Sequence, residues 1–204
     1  MAKIKLTKNE LKKQKDNLKR FTRYLPTLEL KKKQLLQEIN RIRHEMETLT
    51  SEKQKIDDNV MNWVGVFAED IDLKDYTKVK EIIIEEGNIA GIDIPLFSDI
   101  VFDEVEYDLL LTPLWIDSGI EVCKTQIKNN AALKVLEQQE EIIRNELRIT
   151  IQRIKLFEEV KIPDARENIR IIQIFLGDQM TAEVVRGKIA KTKIIKKRRE
   201  AEPV

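Results

Sequence analysis

The sequence predicts an all-α-dominated protein in which the N- and C-terminal segments form a long antiparallel two-helix coiled coil, with a small central cap containing a short β-hairpin. Three observations lead there. The first sixty or so residues carry a seven-residue apolar repeat. A second long apolar stripe begins at Leu133. The composition is that of long helices with narrow apolar seams: 36% of residues are charged and 5% aromatic, with 6 glycines and 5 prolines in 204 residues.

The N-terminal helix, residues 1–61, is read from two interleaved series. One runs Ile4, Leu11, Leu18, Leu25, Lys32, Ile39, Met46, Lys53, Val60; the other runs Thr7, Gln14, Phe21, Leu28, Leu35, Ile42, Leu49, Ile56. Most places in both are apolar over about eight heptads, the signature of a coiled-coil seam. Lys32 and Lys53 interrupt it; polar seam residues cost stability and restrict register. Pro26 sits beside the seam and either kinks the helix or starts a fresh one after a loosened turn.

Residues 62–128 form the cap. They hold both tryptophans, Trp63 and Trp115, most of the glycines, and Cys123. Apolar alternation at Ile92, Ile94 and Leu96, punctuated by Gly87 and Gly91, predicts a small strand or hairpin. The tryptophans read as packing anchors of the cap, with a partner contact as the sharper alternative.

The C-terminal helix, residues 129–199, follows the stripe Leu133, Leu136, Ile143, Leu147, Ile151, Ile154, Ile162, Ala165, Ile169, Ile172, Leu176, Met180, Val184. Pro163 falls inside it. Apolar residues continue on both sides, so the proline is expected to kink a rod and not to end a domain; the missing hydrogen bond costs roughly 3 kcal/mol, which a packed partner helix can offset. Each helix of about 60 residues would be on the order of 90 Å long. Each stripe buries the other most simply in an antiparallel pair. Residues 200–204 read as a disordered tail.

Several function classes are excluded or weakened. The net charge of +1 gives no global field toward nucleic acid or membrane. A single cysteine excludes an internal disulfide and a cysteine-built zinc site, and suits a reducing cytoplasm. No apolar run approaches a membrane span, so direct membrane insertion is not expected. There is no phosphate-cradling loop, nucleotide fingerprint or metal-ligand cluster, so no cofactor is expected. His44 lies on the coiled-coil helix as a solvated residue, and Cys123 reads as a buried structural thiol. Asp99, Asp103, Glu104, Glu106 and Asp108 form an acidic group without calcium-loop spacing; it reads as a solvated or partner-facing loop. The basic tail, Lys188, Lys191, Lys193, Lys196, Lys197, Arg198 and Arg199, has two readings. One is a solvated helix end complementing its dipole. The other is electrostatic contact with an acidic surface or phosphates. With Ile189, Ile194 and Ile195 interleaved and no aromatic platform, nucleic-acid binding is the weaker form of the second.

Three stretches in order resemble a known family. They are "LTKNELKKQKDNLKRFTRYLPTLELKKKQLL", with Thr7, Leu11, Lys13, Leu30 and Lys31 to Lys33; "NIAGIDIPLF" followed by "VEYDLLLTPLWIDSGI"; and "RIKLFEEVKIPDARENIRIIQIFLGDQMTAEVVRGKIAK", with Arg153, Leu156, Glu158, Ile162, Pro163, Glu167, Ile169, Ile172, Ala182, Glu183, Arg186 and Lys188. Together they are similar to the D subunits of the V-type rotary ATPases. The resemblance implies a non-catalytic central-stalk axle in the cytoplasm, peripheral to the membrane. It carries torque between ATP hydrolysis or synthesis in the catalytic ring and ion translocation. The implied partners are the catalytic and non-catalytic ring subunits, the smaller F subunit, and the docking subunit of the membrane rotor. Carrying the topology over, the ring contacts are expected from Lys3, Lys5, Lys8, Lys12 and Lys13 near one terminus and from Lys188 to Arg199 near the other. A generic coiled-coil scaffold or export-apparatus stalk is the competing reading. It shares the helical hairpin but does not require the mid-chain hairpin or the "KIP" segment.

Overall fold

A computed structural model describes residues 4–61, 65, 73–103, 105, 112–113 and 115–201, with side chains up to residue 198. Lys3, Trp63, Glu104, Glu106, Asp108 and residues 202–204 lie outside the described residues, as does the side chain of Arg199. The elements in order are α1 (Lys8–Met61), a 3-10 turn (Leu73–Asp75), β1 (Val79–Ile89), β2 (Ile92–Phe102), α2 (Ile116–Lys155), a π-helical turn (Leu156–Lys161) and α3 (Ile162–Ala201). The chain divides into two compact units, Lys31–Thr150 and Met1–Leu30 with Ile151–Val204.

Helix α1 begins at a side-chain N-cap. The Thr7 hydroxyl accepts the Glu10 amide at 3.3 Å, and Glu10 supplies the acidic residue of the first turn. The helix then runs through Pro26 without a break, so the reading of a fresh helix there is not what forms. Helix α2 begins at Ile116, whose amide bonds the Pro113 carbonyl at 3.1 Å, while the Trp115 carbonyl accepts from Gly119 at 2.9 Å. The apolar stripe read from Leu133 thus belongs to a helix that starts well before it.

In the unit of residues 31–150, the core is the seam itself. Leu35, Ile39 and Ile42 of α1 pack with Leu136 and Ile143 of α2 and with Ile94 of β2. Met46, Leu49, Ile142 and Leu147 surround them. Polar pairs flank the seam in strictly falling order, which fixes the antiparallel sense. Lys31 meets Glu146 at 2.8 Å, Arg43 meets Glu140 at 2.8 Å, Lys53 meets Asn130 at 2.9 Å and Asp57 meets Gln126 at 2.7 Å. Lys53, the polar interruption of the seam, thus finds a specific partner on α2, as a register-setting residue should.

The hairpin pairs β1 with β2 antiparallel, from Val79 opposite Phe102 to Ile89 opposite Ile92. Its turn residues Ala90 and Gly91 both have positive φ, 52° and 78°. This is the primed geometry whose twist matches a two-stranded ribbon. The Asn88 side chain stabilises it by accepting the Gly91 amide at 3.0 Å and donating to Asp93 at 2.7 Å. Gly87 answers a different need: a Cβ there would lie 2.6 Å from the Leu96 side chain.

In the unit containing the termini, Ile154, Ile162, Ala165 and Ile172 are buried, and Phe21 packs on Phe157 with ring centroids 5.2 Å apart. Here the proline finds its explanation. The seam advances through Ile143, Leu147, Thr150 and Ile154 by alternating steps of four and three. A strict repeat would continue to Phe157, Lys161 and Asp164; Phe157 is half-buried, but Lys161 and Asp164 are exposed, and Ile162 and Ala165 are buried in their place. The sequence holds one surplus residue between Ile154 and Ile162. A π turn takes one more residue than an α turn, and the Ile162 amide bonds the Phe157 carbonyl five residues back. The surplus is absorbed, the seam returns to phase, and Pro163, which has no amide proton to donate, sits just after the widened turn. Replacing Pro163 by alanine is therefore expected to keep the π turn and to change stability by under about 1 kcal/mol. Guanidinium unfolding followed by circular dichroism measures this. A loss above about 3 kcal/mol would show that the proline itself holds the turn.

Candidate partner-binding surfaces

The strongest candidate surface is built by the last third of α3. From Gly177 to Arg198 every side chain of this helix is exposed. Near its beginning, Leu6, Thr7 and Lys8 lie beside Phe175, Leu176, Gln179, Met180 and Glu183. This is where α1 starts, so beyond Glu183 the helix runs past its partner. The stretch from Glu183 to Arg198 extends it by about 22 Å.

This projecting helix is neither a plain solvated end nor a plain seam. Lys188, Lys191, Lys193, Lys196, Lys197 and Arg198 are exposed on it. So are Val184 at 59%, Val185, Ile189, Ile194 at 57% and Ile195. At 100° per residue these apolar positions do not fall on one stripe; they spread around much of the helix, with the basic residues between them. A surface helix buries one stripe, and a helix with apolar residues on several sides is normally enclosed. Single exposed apolar residues need no explanation, but a run of them on one unpartnered helix marks an interaction site. The sequence reading found the basic residues and used the isoleucines only to weaken nucleic-acid binding. The missed signal was the spread of those isoleucines around the helix.

The other predicted positions fall as follows. Lys5, Lys8, Lys12 and Lys13 are exposed along the first turns. Of these, Lys8 lines the groove against α3, whereas Lys188 to Arg198 lie further out than any residue of α1 reaches. Pro26 and Pro163 are inside helical runs, and Gly87 and Gly91 serve the hairpin, as above. Trp115 is partly buried at the start of α2.

Chemistry elsewhere is structural. His44 is exposed on α1. Burial raises the Cys123 thiol above its ordinary range, which keeps it protonated and unreactive. In the acidic group, Asp99 bonds Lys128 at 2.8 Å and accepts the Ile100 amide, and these bonds hold its carboxyl below the usual value. Glu140 is likewise lowered, first by its hydrogen bond from Arg43 and then by Arg144. Glu167 is lowered by Arg170, which grips both its oxygens at 2.9 and 2.7 Å. These carboxylates are tied to cations of the same fold. Among the described residues no group of three or more His, Cys, Asp or Glu could hold a metal ion. No described helix is long and apolar enough to cross a membrane.

Comparison with known proteins places the chain in a family. The family model for the D subunit of ATP synthase matches residues 10–192. The V-type ATP synthase D subunit of Borreliella burgdorferi is 50% identical over 201 residues, covering 98% of this chain and 100% of that one. The proteins of the same description from Chlamydia abortus and Chlamydia trachomatis serovar L2 are 32% and 34% identical, covering 98% and 95% of this chain and 98% and 97% of theirs. An antiparallel helical pair with a hairpin, a register-correcting π turn, and nearly full-length similarity to all three lead to one assignment: the chain belongs to the family of V-type ATP synthase D subunits.

Proposed function

We propose that the chain is the non-catalytic central axle of a V-type rotary ATPase, carrying torque between the nucleotide-handling ring and the membrane rotor. One observation supports this most: the end of α3 is uncovered, basic, and apolar on several sides. A shaft end seated in a ring touches protein all round, and this helix offers contacts all round. A flat partner would need only one apolar stripe.

The rest of the chain suits the role. Two helices that bury a common seam at interior packing density resist twisting. Paired carboxylates and cations lock their register, so force applied at one end is not lost to slippage. The axle needs no active site. Its effect on the ring is conformational: a ring subunit's equilibrium shifts only by the difference in its contacts with the shaft in each state. A helix with basic residues on some sides and isoleucines on others makes those contacts depend on rotation angle. The partners in this reading are the catalytic and non-catalytic ring subunits, the F subunit along the shaft, and the docking subunit of the membrane rotor. The chain works in the cytoplasm and is held at the membrane through the complex.

Affinity purification of the tagged chain from its native cell tests the assignment of partners. Two kinds of large ATPase subunit are expected in near-stoichiometric recovery. Recovery of the chain alone, or with unrelated proteins, would overturn it.

A further inference from the structure

The hairpin has two outer edges, and the structure treats them differently. The edge of β2 is closed. Pro95 has no amide proton to offer a neighbouring strand, and its carbonyl is already taken by the Gln139 side chain at 2.6 Å. Ile94 and Ile100 are buried, and Lys128 of α2 holds Asp99 at 2.8 Å. The edge of β1 is open: among the described residues the sheet has two strands only, and nothing pairs with β1 on its far side.

An open edge with exposed apolar side chains is a hazard that proteins normally blunt. Here it is accentuated. Ile82, Ile83 and Ile84 are 46%, 40% and 49% exposed. Beneath the edge, Val79, Ile82, Ile84 and Ile100 face Ile127 and Val135 of α2 across a groove of ≈ 340 Å³, whose α2 wall also carries Asn130, Lys134 and Gln138. The extra residue at Lys80, where the register shifts, turns Val79 to the same side as Ile82. On the opposite face, alternation places Glu81, Ile83 and Glu85.

We propose that the outer edge of β1 receives an extended segment of a partner protein as a third strand. Its backbone pairs with β1, its alternate apolar side chains enter the groove, and its intervening lysine or arginine side chains meet Glu81 and Glu85. This is strand addition, in which main-chain bonds give affinity and pockets for every second side chain give specificity. Charge selects the occupant. β1 carries Glu81, Glu85 and Glu86 against the single Lys80, so a second copy of this strand would bring like net charge to the edge, whereas a basic strand brings the opposite. The inference concerns a different surface from the projecting end of α3 and stands or falls apart from it.

The test uses the full chain and a fluorescent heptapeptide, Lys-Ile-Lys-Val-Lys-Ile-Lys, read by anisotropy. It is expected to bind at least about tenfold tighter than its glutamate counterpart and than a scrambled peptide of the same composition. The double variant Glu81→Lys/Glu85→Lys should reverse the order of the basic and acidic peptides. The double variant Ile82→Asp/Ile84→Asp should abolish binding with an unchanged circular dichroism spectrum, because both side chains are substantially exposed. Methylating the peptide's amides along one edge should abolish binding, and along the other leave it intact. Equal binding of the scrambled peptide, undiminished binding by Ile82→Asp/Ile84→Asp, or no binding of the basic peptide would overturn the proposal. So would a dimer of the full chain that Ile83→Lys dissolves, which would give the edge to a second copy.

Discussion

Ending the chain after Gly187 is expected to leave the protein folded and to cut ATP-driven rotation, or ATP-driven ion transport, in the reconstituted complex by at least about tenfold. Each isoleucine side chain moved from water into a partner contributes about 1.5–3 kcal/mol. The truncation removes Ile189, Ile194 and Ile195, all of which are exposed, together with the basic residues from Lys188 onward. Forgoing the burial of even one such side chain corresponds to roughly a factor of ten in an equilibrium constant. The fold is spared because no residue beyond Glu183 is buried against α1; every described side chain of the removed segment faces solvent. The measurement has two arms. Thermal unfolding by circular dichroism should match the full chain, and rotation of a probe on the shaft should slow or slip. Unchanged rotation would remove the end of α3 from the proposed mechanism. Loss of folding would show that the segment has an internal role that its exposure does not suggest.

The second large effect lies at the other extreme of burial. Ile143→Asp is expected to unfold the unit of residues 31–150, with a cost above about 4 kcal/mol, because an unpaired carboxylate would be placed in an apolar core. Ile143 is fully buried among Leu35, Ile39, Ile42 and Ile94, with no cation among those core residues. The milder Leu35→Ala should cost about 2–5 kcal/mol through lost transfer energy and the cavity left behind. Denaturant titration read by circular dichroism measures both. The informative control is Ile194→Asp, the same change on the projecting end of α3. Stability there should move by no more than about 0.5 kcal/mol, while coupling in the assembled complex falls. If Ile143→Asp were tolerated, the seam would not be what holds the helices together.

Much of this was legible in the residues. The heptads of α1 named Leu35, Ile39 and Ile42 as seam residues, and all three are buried. The stripe on the second helix named Leu136, Ile143, Ile154, Ile162, Ala165 and Ile172, and these too are buried. Periodicity is a reliable signal because a side chain's place on a helix depends only on its number along the chain. The hairpin was visible at Ile92, Ile94 and Leu96 but not in its full length, since the run Ile82 to Ile84 does not alternate and a helix reading competes with a strand there. The surplus residue before Pro163 was in plain view as the gap between Ile154 and Ile162. The spacing, not the proline, is the informative feature. The basic tail is legible as charge, and Ile189, Ile194 and Ile195 are legible within it; that all of them stay exposed is not.

Sequence alone therefore determined which faces are greasy, where they change phase, and that two such faces had to meet, because period and hydrophobicity are properties of the chain. Only the tertiary structure decided where the pairing stops. That depends on how far α3 runs past the start of α1 and on which hairpin edge Gln139 closes, and both follow from groups distant in sequence coming together. Uncovered surface is a difference between what a helix could bury and what its own fold supplies, and that difference exists only once the chain has folded.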